Sequence, residues 1–262
     1  MYSGIDISRW QGDIDFATMR SSGISFVIHK AGGSNSGVYT DSKYSAVVPQ
    51  ARAAGMRIGH YWFNGPAGSP SQGADHMVDN LSGYSHQDIL VLDIENEGGM
   101  ARWNPGQAAE FLDRLRARIP GCRLYIYMNQ SDLASSDWTP IRDRGVGLWI
   151  AAPGSSNPRT APWAEWDIHQ YTFTGRFPGY GGDLDGDWAK PRVWDGSGED
   201  DGFNDMDRYS AKLVLESQAR VELSTYANKS WINPTILGKS QKAVDILTDV
   251  RSELSDIADA LK

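Results

Sequence analysis

At 262 residues the chain can bury one large core, or one core together with a small additional module. Its net charge of −8 argues against nucleic acid as a partner, because the neutralisation of phosphates requires an excess of Lys and Arg. The single cysteine, Cys122, excludes an intramolecular disulfide and suggests no cysteine-based metal site.

Short apolar segments alternate with helical segments along most of the chain. The predicted strands cover residues 5–8, 24–31, 57–63, 89–97, 123–128, 147–152 and 166–172, and the predicted helices cover 15–20, 44–54, 72–81 and 107–119. This alternation predicts an α/β fold of βα units, and their number favours a barrel over an open sheet. The chain has no GxGxxG or GxxxxGK[ST] sequence, which disfavours a nucleotide-binding sheet. The last strands have no good helices between them and a Gly-rich run at 178–185 ends the pattern, so we expect an irregular TIM-like barrel.

Two acids, Asp93 and Glu95, follow the four apolar residues of the fourth predicted strand. Side chains of a strand alternate between its faces, so the two carboxyls point the same way. Their repulsion tends to raise the pKa of one of them, and such a pair can supply one protonated acid and one anion at neutral pH. The alternative is that the strand simply ends here and solvent begins.

Two further acids stand near strand ends. Asp6 ends the first predicted strand, and Asp185 lies just past the seventh. Catalytic groups of barrel enzymes lie at the C-terminal ends of the strands, so all four acids would gather in one mouth. Taken singly, Asp6 and Asp185 are better explained as turn or capping acids.

Several motifs occur in a fixed order within residues 1–195. They are GIDISRWQGDIDF at 4–16, GHYWF at 59–63, LDIE at 92–95, WIA at 149–151 and GYGGDLDGD at 179–187. Together they resemble the glycoside hydrolase family 25 lysozymes, the Chalaropsis-type muramidases, which open with G-(I/V)-D-V-S-x-(W/Y)-Q-G-x-I-D-(W/F), carry D-x-E and close with G-x-x-G-x-V-D-L-N. On this alignment Asp185 is the closing aspartate, and the Gly186-Asp187 that follows departs from the usual L-N.

The resemblance implies hydrolysis of peptidoglycan at the β-1,4 bond between N-acetylmuramic acid and N-acetylglucosamine. Glu95 would be the general acid, and an ionised Asp93 would manage the acetamido group of the substrate, which attacks the anomeric carbon. The alternative is inversion, with Asp93 or Asp185 as base to a water molecule. Asp6 and Asp185 would shape the electrostatic field and hold substrate hydroxyls.

Aromatic residues are abundant, with ten Trp and eleven Tyr, and exposed rings suit stacking on sugars. We expect Tyr61 and Tyr127 to contact the substrate, with Trp10 and Trp149 as weaker candidates; packing within the barrel is the alternative for all four. No metal or other cofactor is expected, and the five histidines show no HExxH-like spacing.

Beyond residue 195 the composition changes. Residues 196–203 form an acidic, Gly-rich linker, and 204–262 are predicted to form a small all-α module of two helices. The second helix carries apolar residues at coiled-coil spacing, namely Ala243, Leu247, Val250, Leu254, Ile257 and Leu261. We expect this stripe to be buried in a homo-oligomer or in docking on the cell wall, or in a hairpin that only stabilises the chain.

The layout is typical of a phage endolysin, with a tail-associated lysin or a trimmed bacterial autolysin as alternatives. The N-terminus lacks the basic and apolar regions of a signal peptide and no segment suits membrane insertion, so we expect synthesis in the host cytoplasm and action on bacterial peptidoglycan after release. Two rivals remain: a non-catalytic sugar-binding barrel of a virion structural protein, and a chitinase-like glycosidase. The longer acid series D-x-x-D-x-D-x-E of chitinases is absent from residues 88–95.

Overall fold

The computed structural model describes residues 1–96, 99, 101–195, 197–198 and 200–201. The predicted helices of residues 204–262 and half of the predicted linker lie outside the described residues. None of the helices in the described part of the chain is long and apolar enough to cross a membrane.

The secondary structure follows the predicted order closely. The strands are β1 Tyr2–Ile7, β2 Ile24–Gly33, β3 Tyr39–Thr40, β4 Arg57–Phe63, β5 Ile89–Ile94, β6 Arg123–Asn129, β7 Gly147–Ala151, β8 Ile168–Gly175, β9 Leu184–Ala189, β10 Ser197–Gly198 and β11 Asp200–Asp201. The helices are α1 Phe16–Ser21, α2 Tyr44–Ala53, α3 Pro70–Asp79, α4 Pro105–Arg118, α5 Gln130–Ala134, α6 Thr139–Arg142 and α7 Arg192–Asp195. The antiparallel pair β10–β11 lies within the predicted linker.

The large sheet closes into a barrel of eight strands. Its order is β1-β9-β8-β7-β6-β5-β4-β2, and β1 also pairs with β2. The strands from β1 to β8 pair in parallel around the barrel, whereas β9 is antiparallel to both of its neighbours. The short β3 is added outside the ring, on β2. The structure therefore confirms the irregular barrel, but the expectation that the strand pattern ends at residue 185 is wrong, because β9 completes the ring.

The strands alternate between two apolar layers. One face of β5 places Leu90, Leu92 and Ile94 in the layer beneath the helices, and the other places Ile89 and Val91 inside the barrel. The interior layer ends in aromatic packing between rings from β2 and α7, with the centroids of Phe26 and Trp194 4.6 Å apart. The floor of the barrel is thus filled, which leaves the ends of the strands as the place for a cavity.

The N-termini of α3 and α4 are fixed by capping hydrogen bonds, which the apolar periodicity of the sequence does not reveal. The Asn104 side chain accepts from the backbone N–H of Gln107, whose own side chain accepts from the backbone of Asn104, and Pro105 occupies the first turn. Ser69 and Gln72 form the same reciprocal cap on α3. These capping boxes make both helices start two residues before the predicted position.

Candidate active site

A cavity of about 370 Å³ opens at the C-terminal ends of the barrel strands. All eight side chains singled out from the sequence line it: Asp6, Trp10, Tyr61, Asp93, Glu95, Tyr127, Trp149 and Asp185. They come from six strands and two adjoining loops, and the closure of the barrel brings them together.

Strand register sets the layers of this cavity. Asp6 of β1 lies opposite Asp185 of β9, and Asp93 of β5 lies opposite Tyr127 of β6. Tyr127 in turn lies opposite Trp149 of β7. Residues opposite one another in a sheet point to the same face, so these five side chains ring the cavity. Asp185 is therefore part of a barrel strand and does not lie in a loop past the last one.

Glu95 directly follows β5, and Asn64 holds the local backbone in place. The Asn64 side-chain amide donates to the Glu95 carbonyl over 2.9 Å, and its backbone N–H donates to the Asp93 carbonyl over 2.9 Å. The Asn64 amide oxygen accepts from the Trp103 N–H over 2.8 Å. Buried Asn64 thus fixes the direction in which the segment of Asp93 and Glu95 leaves the barrel.

A chain of hydrogen bonds crosses the cavity wall through Gln170. The Gln170 side-chain amide donates to Asp6 Oδ2 over 2.6 Å, and its Oε1 accepts from the Tyr127 hydroxyl over 2.9 Å. The Tyr127 hydroxyl is also in hydrogen-bonding contact with the Glu95 carboxyl. Gln170 therefore connects an acid on one side of the barrel with an acid on the other.

One layer deeper lies Asp187, which the sequence analysis did not single out as a site residue. It is fully buried, and its Oδ1 accepts from the Trp149 indole N–H over 2.9 Å. Its carboxyl is in hydrogen-bonding contact with that of Asp6. Once β9 is known to be a strand, the alternation of its side chains identifies Asp187, because Asp187 shares a face with Asp185.

Burial and mutual repulsion perturb the acids of the cavity. Loss of solvent raises the pKa of Asp6 to about 6, opposed by hydrogen bonds from Gln170 and Asp187. Loss of solvent, followed by the charges of Asp6 and Glu95, raises the pKa of Asp185 to about 8. Burial likewise raises the pKa of Asp187 well above its usual range. The cavity therefore holds both protonated and ionised carboxyls near neutral pH.

The two tyrosines remain neutral next to these acids. Burial, reinforced by the charges of the neighbouring carboxyls, raises the pKa of both Tyr61 and Tyr127 well above the usual range. Both rings meet Trp149 edge to face, with centroid separations of 6.5 Å from Tyr61 and 4.7 Å from Tyr127. Tyr61, Tyr127 and Trp149 thus form part of the cavity wall as well as of the barrel packing, and their contact with the substrate stays a prediction.

The outer rim is aromatic and basic. Trp10 is 77% exposed, and the Arg9 guanidinium lies 4.8 Å from its ring centroid. The cavity is also lined by Phe173 and Lys30. Phe173 is 50% exposed, and the Lys30 amine lies 4.2 Å from the centroid of the Phe63 ring. Sequence reasoning missed Arg9, Lys30, Phe173 and Gln170, because none belongs to an acid pair or repeats at a diagnostic spacing. Among the described residues, no group of three or more His, Cys, Asp or Glu side chains could hold a metal ion.

Comparison with known proteins agrees with this geometry. Residues 5–180 match the family described as glycosyl hydrolases family 25. The chain belongs to glycosyl hydrolase family 25. Lysozyme M1 of Streptomyces globisporus is 33% identical to this family 25 chain in an alignment of 197 residues that covers 70% of the chain and 65% of the relative. The N,O-diacetylmuramidase of Chalaropsis is 27% identical in an alignment of 211 residues that covers 74% of the chain and 87% of the relative.

A solved structure supports the same assignment. The crystal structure of the bacterial lysozyme from Streptomyces coelicolor superimposes on the family 25 chain with a TM-score of 0.66 and 29% identity, over 75% of this chain and 98% of the other. The chain spans slightly less than two thirds of the length of Lysozyme M1. The shared part is thus the barrel.

Proposed function

We propose that this family 25 protein is a peptidoglycan hydrolase, an N-acetylmuramidase that cleaves the β-1,4 bond between N-acetylmuramic acid and N-acetylglucosamine. One observation carries the proposal: the four acids and four aromatic residues identified from the sequence line a single cavity at the catalytic end of a barrel. Family membership and the names of the relatives, lysozyme and muramidase, support the choice of substrate.

The hydrogen-bond chain supports Glu95 as the general acid. Gln170 donates its amide protons toward Asp6, so its Oε1 is the atom that faces Tyr127. A tyrosine hydroxyl has one proton, and Tyr127 uses it on that oxygen. Toward Glu95 the hydroxyl can then only accept, which fits a protonated Glu95 that donates. A half-buried, protonated carboxyl at the cavity wall is suited to protonating the glycosidic oxygen.

Asp93 is the anion in this proposal. It is buried opposite Tyr127 and orients the acetamido group of the substrate, which attacks the anomeric carbon. Asp185 is a poor base for a water molecule at neutral pH, because its pKa of about 8 keeps it protonated. Inversion would therefore depend on Asp93. The first-formed anomer, followed by proton NMR, separates the two routes: retention supports attack by the acetamido group, and inversion supports attack by water.

Product analysis tests the reaction itself. Purified peptidoglycan and chitin are incubated with the protein, and the soluble products are identified by mass spectrometry after reduction with borohydride. Fragments that end in reduced N-acetylmuramic acid support the muramidase. Cleavage of chitin alone would support a chitinase-like glycosidase, and binding without products would support a non-catalytic sugar-binding barrel.

The biological setting is a further part of the proposal. A catalytic barrel followed by a predicted helical module suits a phage endolysin that is made in the host cytoplasm and acts on the wall after release. The module would dock on the wall or join two copies of the chain. Expression in a host whose membrane is then permeabilised tests this role: rapid lysis supports it, and intact cells despite active protein in the extract contradict it.

A further inference from the structure

The arrangement of proton donors around Asp6 leaves one position unexplained. Asp187 is 0% exposed and lies one layer below the carboxyls of the cavity, between Gly4 of β1 and Gln170 of β8 in the strand register. Its Oδ1 accepts from the Trp149 indole. Its Oδ2 is also buried and receives no N–H or O–H donor from the described residues. A buried carboxylate oxygen without a donor is costly, so its chemistry requires an explanation.

The contact with Asp6 provides that explanation. Two carboxyl groups form a hydrogen bond only when one of them carries a proton. Asp6 already accepts from the Gln170 amide over 2.6 Å, which stabilises its charged form, whereas Asp187 has a single indole donor and no solvent. The proton is therefore held on Asp187. Once protonated, Oδ2 becomes a donor, and its apparent lack of a partner disappears.

We propose that Asp187 is a protonated positioning residue, which donates a hydrogen bond from Oδ2 to the Asp6 carboxylate and so fixes the charge and orientation of Asp6 in the cavity. The proposal deepens the proposed muramidase function and rests on it. With Asp187 included, every hydrogen bond of the chain points toward Asp6. Glu95 donates to Tyr127, Tyr127 donates to Gln170, and both Gln170 and Asp187 donate to Asp6. Asp187 thus helps to keep the amide of Gln170 oriented as the proton on Glu95 requires.

The surroundings of Asp187 determine how this arrangement responds to pH. The titratable groups that face it are Asp6 from β1 and Asp185 from its own strand, and Glu95 acts on Asp6 and Asp185 across the cavity. Tyr171 of β8, whose ring stacks on that of Trp188, is affected by the charge of Asp187. β7 contributes the neutral Trp149 indole. Burial, reinforced by the charge and the hydrogen bond of Asp6 and by the charge of Asp185, keeps the pKa of Asp187 well above its ordinary range. Ionisation at alkaline pH would remove the donor and place two negative charges in contact.

Two substitutions separate the roles of shape, donor and charge. Asp187→Asn keeps an acceptor for Trp149 and an N–H donor for Asp6, but it cannot ionise. Asp187→Leu has a similar volume and neither group. Asp183→Asn is the charge control, because Asp183 is exposed, pairs with Arg176 and does not line the cavity.

The first test is the rate of peptidoglycan cleavage against pH for the full chain and these variants. We expect Asp187→Asn to be at least about tenfold more active than Asp187→Leu at neutral pH, since a charge-assisted hydrogen bond is worth that much or more. We also expect the alkaline decline of the wild-type rate to move to higher pH in Asp187→Asn and to stay in place in Asp183→Asn. Equal impairment of Asp187→Asn and Asp187→Leu, or a Asp187→Asn profile that superimposes on that of the wild type, overturns the proposal.

The second test needs no activity and no folded Asp187→Leu protein. The indole N–H resonance of Trp149 is assigned by its absence from Trp149→Phe and is then followed against pH. Because Trp149 donates to Asp187, its resonance reports the charge of that carboxyl. A shift confined to alkaline pH and absent from Asp187→Asn supports the proposal, and a shift with a midpoint near 4, the ordinary value for Asp, overturns it. If the wild type releases no products, the proposed function fails while this titration still decides the role of Asp187.

Discussion

Asp185→Asn should stabilise the protein at neutral pH while weakening its activity. The carboxyl has a pKa raised from 3.8 to about 8, so the native state holds a proton that the unfolded state releases. Its contribution to stability is fully present below about pH 4 and is lost progressively as the pH rises to about 8. An asparagine does not titrate, so the variant avoids this loss.

The magnitude follows from the same shift. pH 7 lies about three units above the ordinary pKa of an Asp carboxyl, and each unit corresponds to about 1.4 kcal/mol. The free energy of unfolding that the wild type loses at pH 7 therefore has a ceiling of about 4 kcal/mol. Solvent that reaches the half-buried carboxyl screens part of this cost, so we expect a gain of roughly 2 kcal/mol. Urea unfolding at pH 4 and pH 7, followed by tryptophan fluorescence, measures it.

Two outcomes of that experiment are informative. We expect Asp185→Asn to match the wild type at pH 4 and to exceed it at pH 7, with the exposed Asp183→Asn equal to the wild type at both. If the variant gained the same stability at both pH values, packing would explain the effect and the titration argument would be refuted. If it were less stable at pH 7, Asp185 would be ionised in the native state.

Three further predictions concern the cavity and the C-terminal segment. Tyr127→Phe removes the hydroxyl that joins Glu95 to Gln170 and should lower kcat by roughly tenfold or more with little change in KM. Tyr125→Phe, on the same strand, should leave kcat unchanged. Comparable losses of kcat in both variants would contradict the role of the Tyr127 hydroxyl. Trp10→Ala should raise KM for soluble wall fragments several-fold with kcat retained, and Trp188→Ala, outside the cavity, should change neither; an unchanged KM in Trp10→Ala would remove Trp10 from the binding surface. If residues 204–262 join copies of the chain, the 262-residue chain should elute as an oligomer in size-exclusion chromatography with light scattering and residues 1–195 as a monomer; a monomer in both cases would rule out this assembly.

Most of the barrel was predictable because its strands are short, apolar and separated by amphipathic helices. The segment at 89–95 was the clearest, since its apolar residues end in two acids on one face, and the structure places both acids in the cavity. β9 could not be recognised in the same way. Its inward positions carry Asp185 and Asp187, and Gly186 lies between them, so β9 lacks the apolar alternation that identifies a strand.

Gln170 illustrates a different limit. It lies within a predicted strand, but a neutral amide gives no sign in the sequence of which groups it joins. Only the pairing of β1 with β9, which closes the barrel, brings Asp6 near β8 and sets Gln170 between Asp6 and Tyr127. The charge states follow from the same three-dimensional burial, which is why the sequence predicted an acid pair at 93 and 95 but not the proton on Asp187.

The role of Glu95 as general acid is tested most directly by the rate at which purified peptidoglycan releases reducing N-acetylmuramic acid ends with wild type and with Glu95→Gln. General acid catalysis contributes roughly 10²- to 10⁴-fold, so we predict a loss of that size in Glu95→Gln. Glu110→Gln, which alters an exposed glutamate that accepts from Ser71, should keep the wild-type rate. A Glu95→Gln protein that is folded and releases these ends as fast as the wild type would contradict the account.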